Sequence, residues 1–230
     1  MNARFVGYAD TVCIEVNSPS HLFLCGQSMI PTHNSEFISK YFPAWYLCAF
    51  PDRRIILSSY EAEFAAKWGR QVRNIIDEYG MQTGGISVSA DSASAARWDL
   101  SRRSGGMITA GMGGAVMGHG ANLFIIDDPV KNAEEANSKV YRDKCWEWFR
   151  SVAYTRLEPD AAIVIIMTRW HEDDLVGRLL QQMRDGGETW EVLSLPALAN
   201  DNDPLGRVPN TPLWPERFPA ETIKSIRSAI

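Results

Sequence analysis

The chain has 230 residues, a formal net charge of −5 and a hydrophobic content of 45%. These values are ordinary for a globular protein with one sizeable domain and an appendage. No apolar run approaches the ~20 residues that span a bilayer, and no cationic, apolar leader follows Met1. The four cysteines lack Cys-x-x-Cys spacing, which argues against a zinc site and favours reduced thiols in a cytoplasm.

The first part of the chain is predicted to form short strands. Apolar residues alternate in 11–16 and run together in 21–24, and the polar residues 17–20 between them indicate a turn. From Ser35 the apolar spacing becomes helical. The organisation of the chain therefore changes at this residue.

After Ser35, strands and helices alternate. Strands are predicted at 54–58, 106–109, 123–126, 162–167 and 190–195, and helices at 61–79, 134–151 and 173–184. Continuous β-branched runs that alternate with helices indicate an α/β fold, with a mainly parallel sheet and helices on both faces. Beyond residue 200 the chain is rich in Asp, Asn and Pro, and another helix begins at 221.

The tripeptide His33-Asn34-Ser35 has the chemistry of a self-cleaving peptide bond. The side-chain amide of Asn34 can attack its own carbonyl and close a five-membered succinimide. His33 is placed to act as a general acid. The hydroxyl of Ser35 can carry an upstream segment as an ester before the asparagine cyclises. Taken alone, the tripeptide is also an ordinary turn sequence.

The stretch from residue 11 to this tripeptide resembles the C-terminal end of inteins. The likeness is carried by Val12-Cys13-Ile14-Glu15-Val16, by His21-Leu22-Phe23 and by Met29-Ile30-Pro31-Thr32-His33-Asn34. It implies a short β-rich, Hint-type segment in which His21 helps to activate Asn34. Cys13, together with Thr32, resembles the intein class in which this cysteine is the first nucleophile. The alternative for Cys13 is a small buried residue.

Paired acids follow one predicted strand. Residues 123–126 deliver Asp127 and Asp128 at the carboxyl end of the strand, where ligands bind in open α/β sheets. In a P-loop ATPase the first acid holds Mg²⁺ and the second orients or deprotonates the attacking water. The alternative is a strand-ending turn before Pro129.

A second predicted strand, 162–167, ends in Thr168 and Arg169. In P-loop ATPases, polar residues beside the acid pair sense the γ-phosphate. The alternative is a structural role, in which Asp173 or Asp174 caps the following helix.

Together these motifs resemble the ATPase domain of tailed-phage terminase large subunits. The likeness is carried by Ile125-Ile126-Asp127-Asp128-Pro129-Val130-Lys131-Asn132, Trp146-Glu147-Trp148-Phe149-Arg150, Thr155-Arg156-Leu157, Met167-Thr168-Arg169-Trp170-His171, Asp174-Leu175, Trp190-Glu191-Val192-Leu193 and Leu213-Trp214-Pro215-Glu216-Arg217-Phe218. It covers nearly all of residues 35–220. It implies a P-loop NTPase fold, ATP and Mg²⁺ as cofactors, and roles for Asp128, Thr168 and Arg169 in hydrolysis. Another P-loop ATPase, such as a helicase, is the alternative.

The resemblance also implies partners. A terminase large subunit drives double-stranded DNA into a capsid as a homo-oligomer, together with a portal protein and a small terminase subunit. It works in the host cytoplasm, docked on the procapsid. The family also has a C-terminal RNase H-like nuclease, for which this chain is too short.

Half of the phosphate-binding loop is missing from the sequence. Ser35 opens a helix where the Mg²⁺-binding hydroxyl of a P-loop is expected, but His33 and Asn34 stand in place of Gly-Lys. We therefore expect an intein segment at 1–34, an ATPase domain without its Gly-Lys half at 35–200, and a connector at 201–230.

ATPase activity would then require splicing to an N-terminal intein half that carries the Gly-Lys segment. The chain alone should be inactive as an ATPase. Two alternatives remain open: a split-intein half whose host is cargo, and an inactive gene fragment.

Overall fold

The computed structural model describes residues 11–17, 22–25, 30–33, 35–114, 116 and 118–229, with side chains from Ser35 onward except at residues 194, 227 and 229. The strands are β1 (Thr11–Asn17), β2 (Leu22–Cys25), β3 (Ile30–His33), β4 (Arg54–Ser59), β5 (Val88–Ala93), β6 (Arg97–Leu100), β7 (Gly106–Gly111), β8 (Ala121–Asp127), β9 (Leu157–Ile166) and β10 (Glu191–Pro196). The helices are α1 (Phe42–Ala49), α2 (Ala62–Thr83), α3 (Ala133–Asn137), α4 (Lys139–Trp148), α5 (Leu175–Arg184) and α6 (Ala220–Ala229).

One mixed sheet organises the fold. Its order is β10-β1-β9-β8-β4-β7-β6-β5, and β2 pairs with β3 in a separate hairpin. The strands from β10 to β7 are parallel, and β6 and β5 are antiparallel additions at one edge. The predicted α/β fold with a mainly parallel sheet is confirmed. No described helix is long and apolar enough to cross a membrane.

Both faces of the sheet are covered. Leu123 and Ile125 of β8 pack into a core on one face, together with residues of α1 and α2. Phe124 and Ile126 pack into a second core on the other face, with residues of α4 and α5. Because neighbouring side chains of a strand point to opposite faces, a strand covered on both sides must be apolar at every position. This is why the strand signals were continuous apolar runs.

The buried residues of helix α2 follow helical spacing. Ala65, Trp68, Val72 and Ile76 are buried at intervals of three or four residues, which places them on one face of the helix. Gly69 lies between them, where an added Cβ would stand 2.4 Å from a backbone oxygen. The absence of a side chain there lets α2 approach the sheet closely.

Two features differ from the sequence-based expectation. The helix predicted over 134–151 is broken at Ser138, which has extended backbone and accepts a hydrogen bond from the Tyr141 amide to cap α4. Strands β5 and β6 were not predicted. The sequence of β5 is rich in Ser, Ala and Asp, and the alternation of polar and apolar residues in β6 spans only four residues, the shortest pattern that indicates a strand.

Strand β1 lies inside the main sheet. It pairs in parallel with β9 on one side and with β10 on the other. The strand predicted at 11–16 is therefore present, but it does not stand apart from the domain expected over 35–200. Only the β2–β3 hairpin forms a sheet of its own among the described residues before Ser35.

Candidate functional site

The candidate site lies at the carboxyl edge of the sheet, where three neighbouring parallel strands end together. Asp127 is the last residue of β8, in register with Ser59 of β4 and Ile166 of β9. Its side chain is fully buried. Because ligands bind outside the carboxyl ends of such strands, this edge is where a nucleotide site is expected.

Ser35 meets Asp127 at this edge. The Ser35 hydroxyl donates a hydrogen bond of 2.9 Å to Asp127 Oδ1. Ser35 immediately precedes the π-helical turn Glu36–Tyr41, which runs directly into α1. Residues 92 positions apart in sequence are thus in contact. Their proposed role in holding Mg²⁺ stays a prediction.

The surroundings of Asp127 favour its protonated form in the absence of a cation. Burial, followed by the charge of Asp128, raises the pKa of Asp127 to about 7. The hydroxyls of Ser39 and Ser35 and the more distant ammonium of Lys67 act in the opposite direction. The Ser39 hydroxyl is close to Asp127 without hydrogen-bond geometry.

One carboxylate oxygen of Asp127 is left without a partner. Asp127 Oδ2 is buried and accepts no hydrogen bond from the described residues. A buried carboxylate oxygen that lacks a donor is costly, and a bound cation removes that cost. No group of three or more His, Cys, Asp or Glu side chains suited to a metal occurs in the part of the chain that the structure describes. Mg²⁺ commonly needs only one or two carboxylates, because substrate phosphates and water complete its coordination. These residues therefore fit a nucleotide-bound Mg²⁺.

The backbone of Asp128 is tied to both neighbouring strands. Its N–H donates to Ile166 O at 2.8 Å, and its carbonyl accepts from the Tyr60 N–H at 3.0 Å. Its φ of +46° lies in the left-handed region, which Asp tolerates better than most residues. The backbone reverses here and brings the second acid over the strand ends.

The Asp128 side chain connects β8 to the residues after β9. Asp128 Oδ1 accepts a hydrogen bond of 3.0 Å from the Thr168 N–H. The structure thus brings Ser35, Asp127, Asp128 and Thr168 to one edge. Their catalytic roles are not tested by this placement.

Arg169 is held by the start of α5. Its Nε donates to Asp174 Oδ2 at 2.7 Å. The other oxygen of Asp174 accepts from the Gly177 N–H at 2.8 Å and caps the helix. Asp174 was one of two candidates for this cap, and the capping alternative is confirmed for it. The ion pair with Arg169 was not predicted, although an arginine five residues before a candidate capping carboxylate is a usable signal.

The residues assigned to splicing are described only in part. Cys13 lies in β1, and Thr32 and His33 lie in β3, in register with Phe23 and Leu22. His21 and Asn34 lie outside the described residues. Their proposed chemistry stays a prediction.

The family comparison decides what kind of protein carries this site. The family model "Terminase large subunit, T4likevirus-type, N-terminal" matches residues 37–222. The chain belongs to this family. The matched region of the terminase chain contains Asp127, Asp128, Thr168 and Arg169, and it begins two residues after Ser35.

Among solved structures, the large terminase from a thermophilic bacteriophage is similar to this chain, with a TM-score of 0.44 and 12% sequence identity. The similarity covers 86% of the terminase chain described here and 42% of that chain, so the present chain spans less than half of its length. No curated protein matches in sequence.

Proposed function

We propose that this terminase chain is the ATPase segment of a viral motor that drives double-stranded DNA into a capsid. The observation that carries the proposal is the hydrogen bond between Ser35 and Asp127, next to the contact between Asp128 and the Thr168 backbone. A helix-opening hydroxyl on a strand-ending acid, with a second acid beside it, is the metal half of a P-loop nucleotide site.

Mg²⁺ would be held by Ser35 and Asp127. When bound with ATP, the ion neutralises charge on the phosphate oxygens. Asp127 contributes a buried carboxylate, and its Oδ2 accepts no hydrogen bond from the described residues. The Ser35 hydroxyl donates to the other oxygen, Oδ1, so the two candidate ligands lie next to each other.

Asp128 is the candidate base that orients or deprotonates the attacking water. Its carboxylate accepts a hydrogen bond from the Thr168 N–H. A movement of the backbone at Thr168 would therefore change the position of the Asp128 carboxylate. Arg169 is oriented by Asp174 at the start of α5. We propose that Thr168 and Arg169 sense the γ-phosphate and pass its loss to α5.

The phosphate half of the site would come from another segment. We propose that residues 1–34 are the C-terminal part of an intein and that splicing joins Ser35 to a segment ending in Gly-Lys. Support comes from the splicing chemistry of His33, Asn34 and Ser35, and from a family match that begins just beyond them. The motor's partners would be DNA, a portal protein, a small terminase subunit and copies of itself, on a procapsid in the host cytoplasm.

The ATPase proposal is tested by restoring the missing half. In a fusion, a strand followed by a glycine-rich loop ending in Gly-Lys replaces residues 1–34 in front of Ser35. We expect Mg²⁺-dependent ATP hydrolysis by the fusion and none above background by the original chain. The matched control changes the added lysine to alanine and should be inactive. Robust hydrolysis by the original chain would contradict the proposed division of the site. DNA-stimulated strand separation, in place of packaging, would favour a helicase.

The splicing proposal is tested with a matching N-terminal intein half. The chain should lose residues 1–34 and gain its partner at Ser35 through a normal peptide bond, as seen by mass spectrometry. Asn34→Ala should block release of the intein piece, and His33→Ala should slow it. Cys13→Ala should stop cleavage at the upstream junction if Cys13 is the first nucleophile. Normal ligated product from Cys13→Ala would assign Cys13 to packing instead.

A further inference from the structure

A groove with aromatic walls lies between α5 and the end of α4. It has a volume of about 460 Å³ and is lined by Trp146, Phe149, Arg150, Tyr154, Leu179, Gln182, Glu188 and Trp190. We call it the aromatic groove. The Trp146 ring stacks on the Phe149 ring, with their centroids 5.9 Å apart. Trp146 is half-buried and Tyr154 is 41% exposed, so aromatic surface in the groove faces water.

The segment after β10 presents two apolar side chains to water. It folds back on itself, because the Ala199 N–H donates to Thr211 O at 2.9 Å. The far end of this fold, residues 203–208, is here called the connector turn. Leu205 is 54% exposed and Val208 is 73% exposed on it. Two large aliphatic side chains thus stand within four residues of each other on the surface.

The connector turn is held against the end of β10. Asp203 and Arg207 form an ion pair whose side chains are 1% and 12% exposed. The Arg207 Nη2 also donates to the carbonyl of Pro196, the last residue of β10, at 2.9 Å. These bonds fix the backbone of the turn, so Leu205 and Val208 project from a rigid support. A preorganised turn loses little conformational entropy when it binds a partner.

The aromatic groove and the connector turn lie at opposite ends of β10. Trp190, in the groove, immediately precedes the first residue of β10, whereas the turn is bonded to Pro196, the last residue. Six residues of extended strand span roughly 20 Å. The connector turn therefore does not reach the aromatic groove of its own chain. A second copy of the chain can offer the turn to the groove.

We propose that Leu205 and Val208 of one copy of this chain dock in the aromatic groove of another copy. The docked side chains and the aromatic rings then leave water together, which is the main favourable contribution. The inference deepens the proposed function and rests on it, because it names surfaces through which copies of the motor subunit meet. The two surfaces differ, so the contact is head-to-tail, and repeated contacts of this kind build a ring when the rotation between copies closes.

The charges at the two surfaces are complementary. Arg150 is the cation among the residues that line the groove, and it is exposed. Asp201 is exposed four residues before Leu205. The acid of the groove, Glu188, accepts a hydrogen bond from the Tyr154 hydroxyl. We place Asp201 of one copy beside Arg150 of the other, where opposite charges fix the orientation of the docked turn.

The first experiment traps the contact with a disulfide between two copies. The full chain carrying Val208→Cys is mixed with the full chain carrying Tyr154→Cys and is mildly oxidised. The matched control mixes Val208→Cys with Met81→Cys, at a position that is 66% exposed on α2 and outside the groove. We expect at least about tenfold more mixed disulfide in the first mixture, since docking raises the local concentration of the two thiols. Equal linking in both mixtures would overturn the proposal.

The second experiment removes the apolar part of the contact. Sedimentation velocity over a series of concentrations measures association of the full chain, which we expect to be weak because the contact is small. Leu205→Asp and Val208→Asp should each weaken association at least about tenfold, because a charge replaces a buried aliphatic group. Val140→Asp, at a position that is 78% exposed on α4 and outside the groove, is the control and should change nothing. Equal association of the turn variants and the original chain would contradict the inference, as would a chain that stays monomeric throughout.

The third experiment exchanges the charges. Arg150→Glu and Asp201→Lys should each weaken association, and the two changes together in one chain should restore it. Thermal unfolding of each variant checks that these exposed positions leave the fold intact. No recovery in the double variant would overturn the docked orientation. Neither that result nor the loss of docking would affect the ATPase proposal, because the changed side chains are remote in sequence from Ser35 and Asp127, and the fusion is assayed separately. An inactive fusion whose copies still dock would count against the ATPase proposal alone.

Discussion

The two sides of the candidate site are built in different ways. The acid side, Asp127 and Asp128, is held by three adjacent strands, with backbone bonds to Ile166 and Tyr60. The serine side begins at Ser35, just after the proposed junction, and the Ser35 hydroxyl donates a hydrogen bond to Asp127. The position of the acid side is set by the sheet. The position of the serine side also depends on the segment that precedes Ser35 in the chain.

This difference would allow the proposed half of a nucleotide site to be preorganised. The acid pair is positioned by β8 and by its two neighbours in the sheet, β4 and β9. Burial of Asp127 keeps an unused carboxylate oxygen at the edge of the sheet. We propose that this arrangement receives a metal ion together with a phosphate-binding loop.

The largest expected effect removes the acid side in the fusion that carries a Gly-Lys loop. Asp127→Ala should abolish ATP turnover, because the metal loses its carboxylate. Asp128→Asn should lower kcat by about 10²–10⁴-fold, as expected when a general base is lost, with little change in nucleotide affinity. Steady-state kinetics and nucleotide titration measure both. Asp91→Asn, at an exposed position on β5, is the control. Equal losses of affinity and rate in Asp128→Asn would contradict its role as a base.

The next prediction concerns the tie from the site to α5. Arg169→Met should leave the buried Asp174 carboxylate without its ion-pair partner and lower the free energy of unfolding by about 3 kcal/mol. Urea denaturation measures this change. Arg169→Lys keeps the charge and should lose less than half as much. A cost below about 1 kcal/mol for Arg169→Met would mean that the ion pair does not hold the site to α5.

The third prediction uses pH to isolate Asp127. Its pKa is about 7 when folded and about 4 when unfolded, so the folded chain binds the proton more tightly. The contribution of Asp127 to the stability of the Mg²⁺-free chain should therefore be fully present below about pH 4 and be lost as the pH rises through about 7, by an amount on the order of a few kcal/mol. Asp127→Asn should flatten this part of the profile. A profile that is the same in both chains, in thermal or urea unfolding, would show that Asp127 ionises normally.

The smallest effect tests the serine side. Ser35→Ala removes the hydroxyl that stabilises ionised Asp127. The pKa of Asp127 should rise further, and stability at pH 8 should fall by about 1 kcal/mol. Ser35→Thr keeps the hydroxyl and serves as the control. NMR titration of the Asp127 carboxyl carbon measures the shift. An unchanged pKa in Ser35→Ala would mean that the two sides of the site are not electrostatically coupled.

Much of the fold was predictable because its strands are covered on both faces. Buried parallel strands must be apolar at every position, so β8 and β9 are recognisable in the sequence as continuous runs of apolar residues. Polar residues directly after such runs identify the edge of the sheet, so Asp127, Asp128 and Thr168 were found without coordinates. Strands β5 and β6 were not predicted, because β5 is mostly polar and the alternation in β6 spans only four residues.

The residues alone determined the alternation of strands and helices, the acid pair at the end of β8 and the change of character at Ser35. Each of these depends on local spacing and on the chemistry of single side chains. Only the tertiary structure decided that Ser35 contacts Asp127, that Arg169 is held by Asp174, and that β1 fills the position between β9 and β10. Contacts between distant segments depend on how strands are ordered across the sheet. That order is set by the packing of the whole chain, and no local pattern records it.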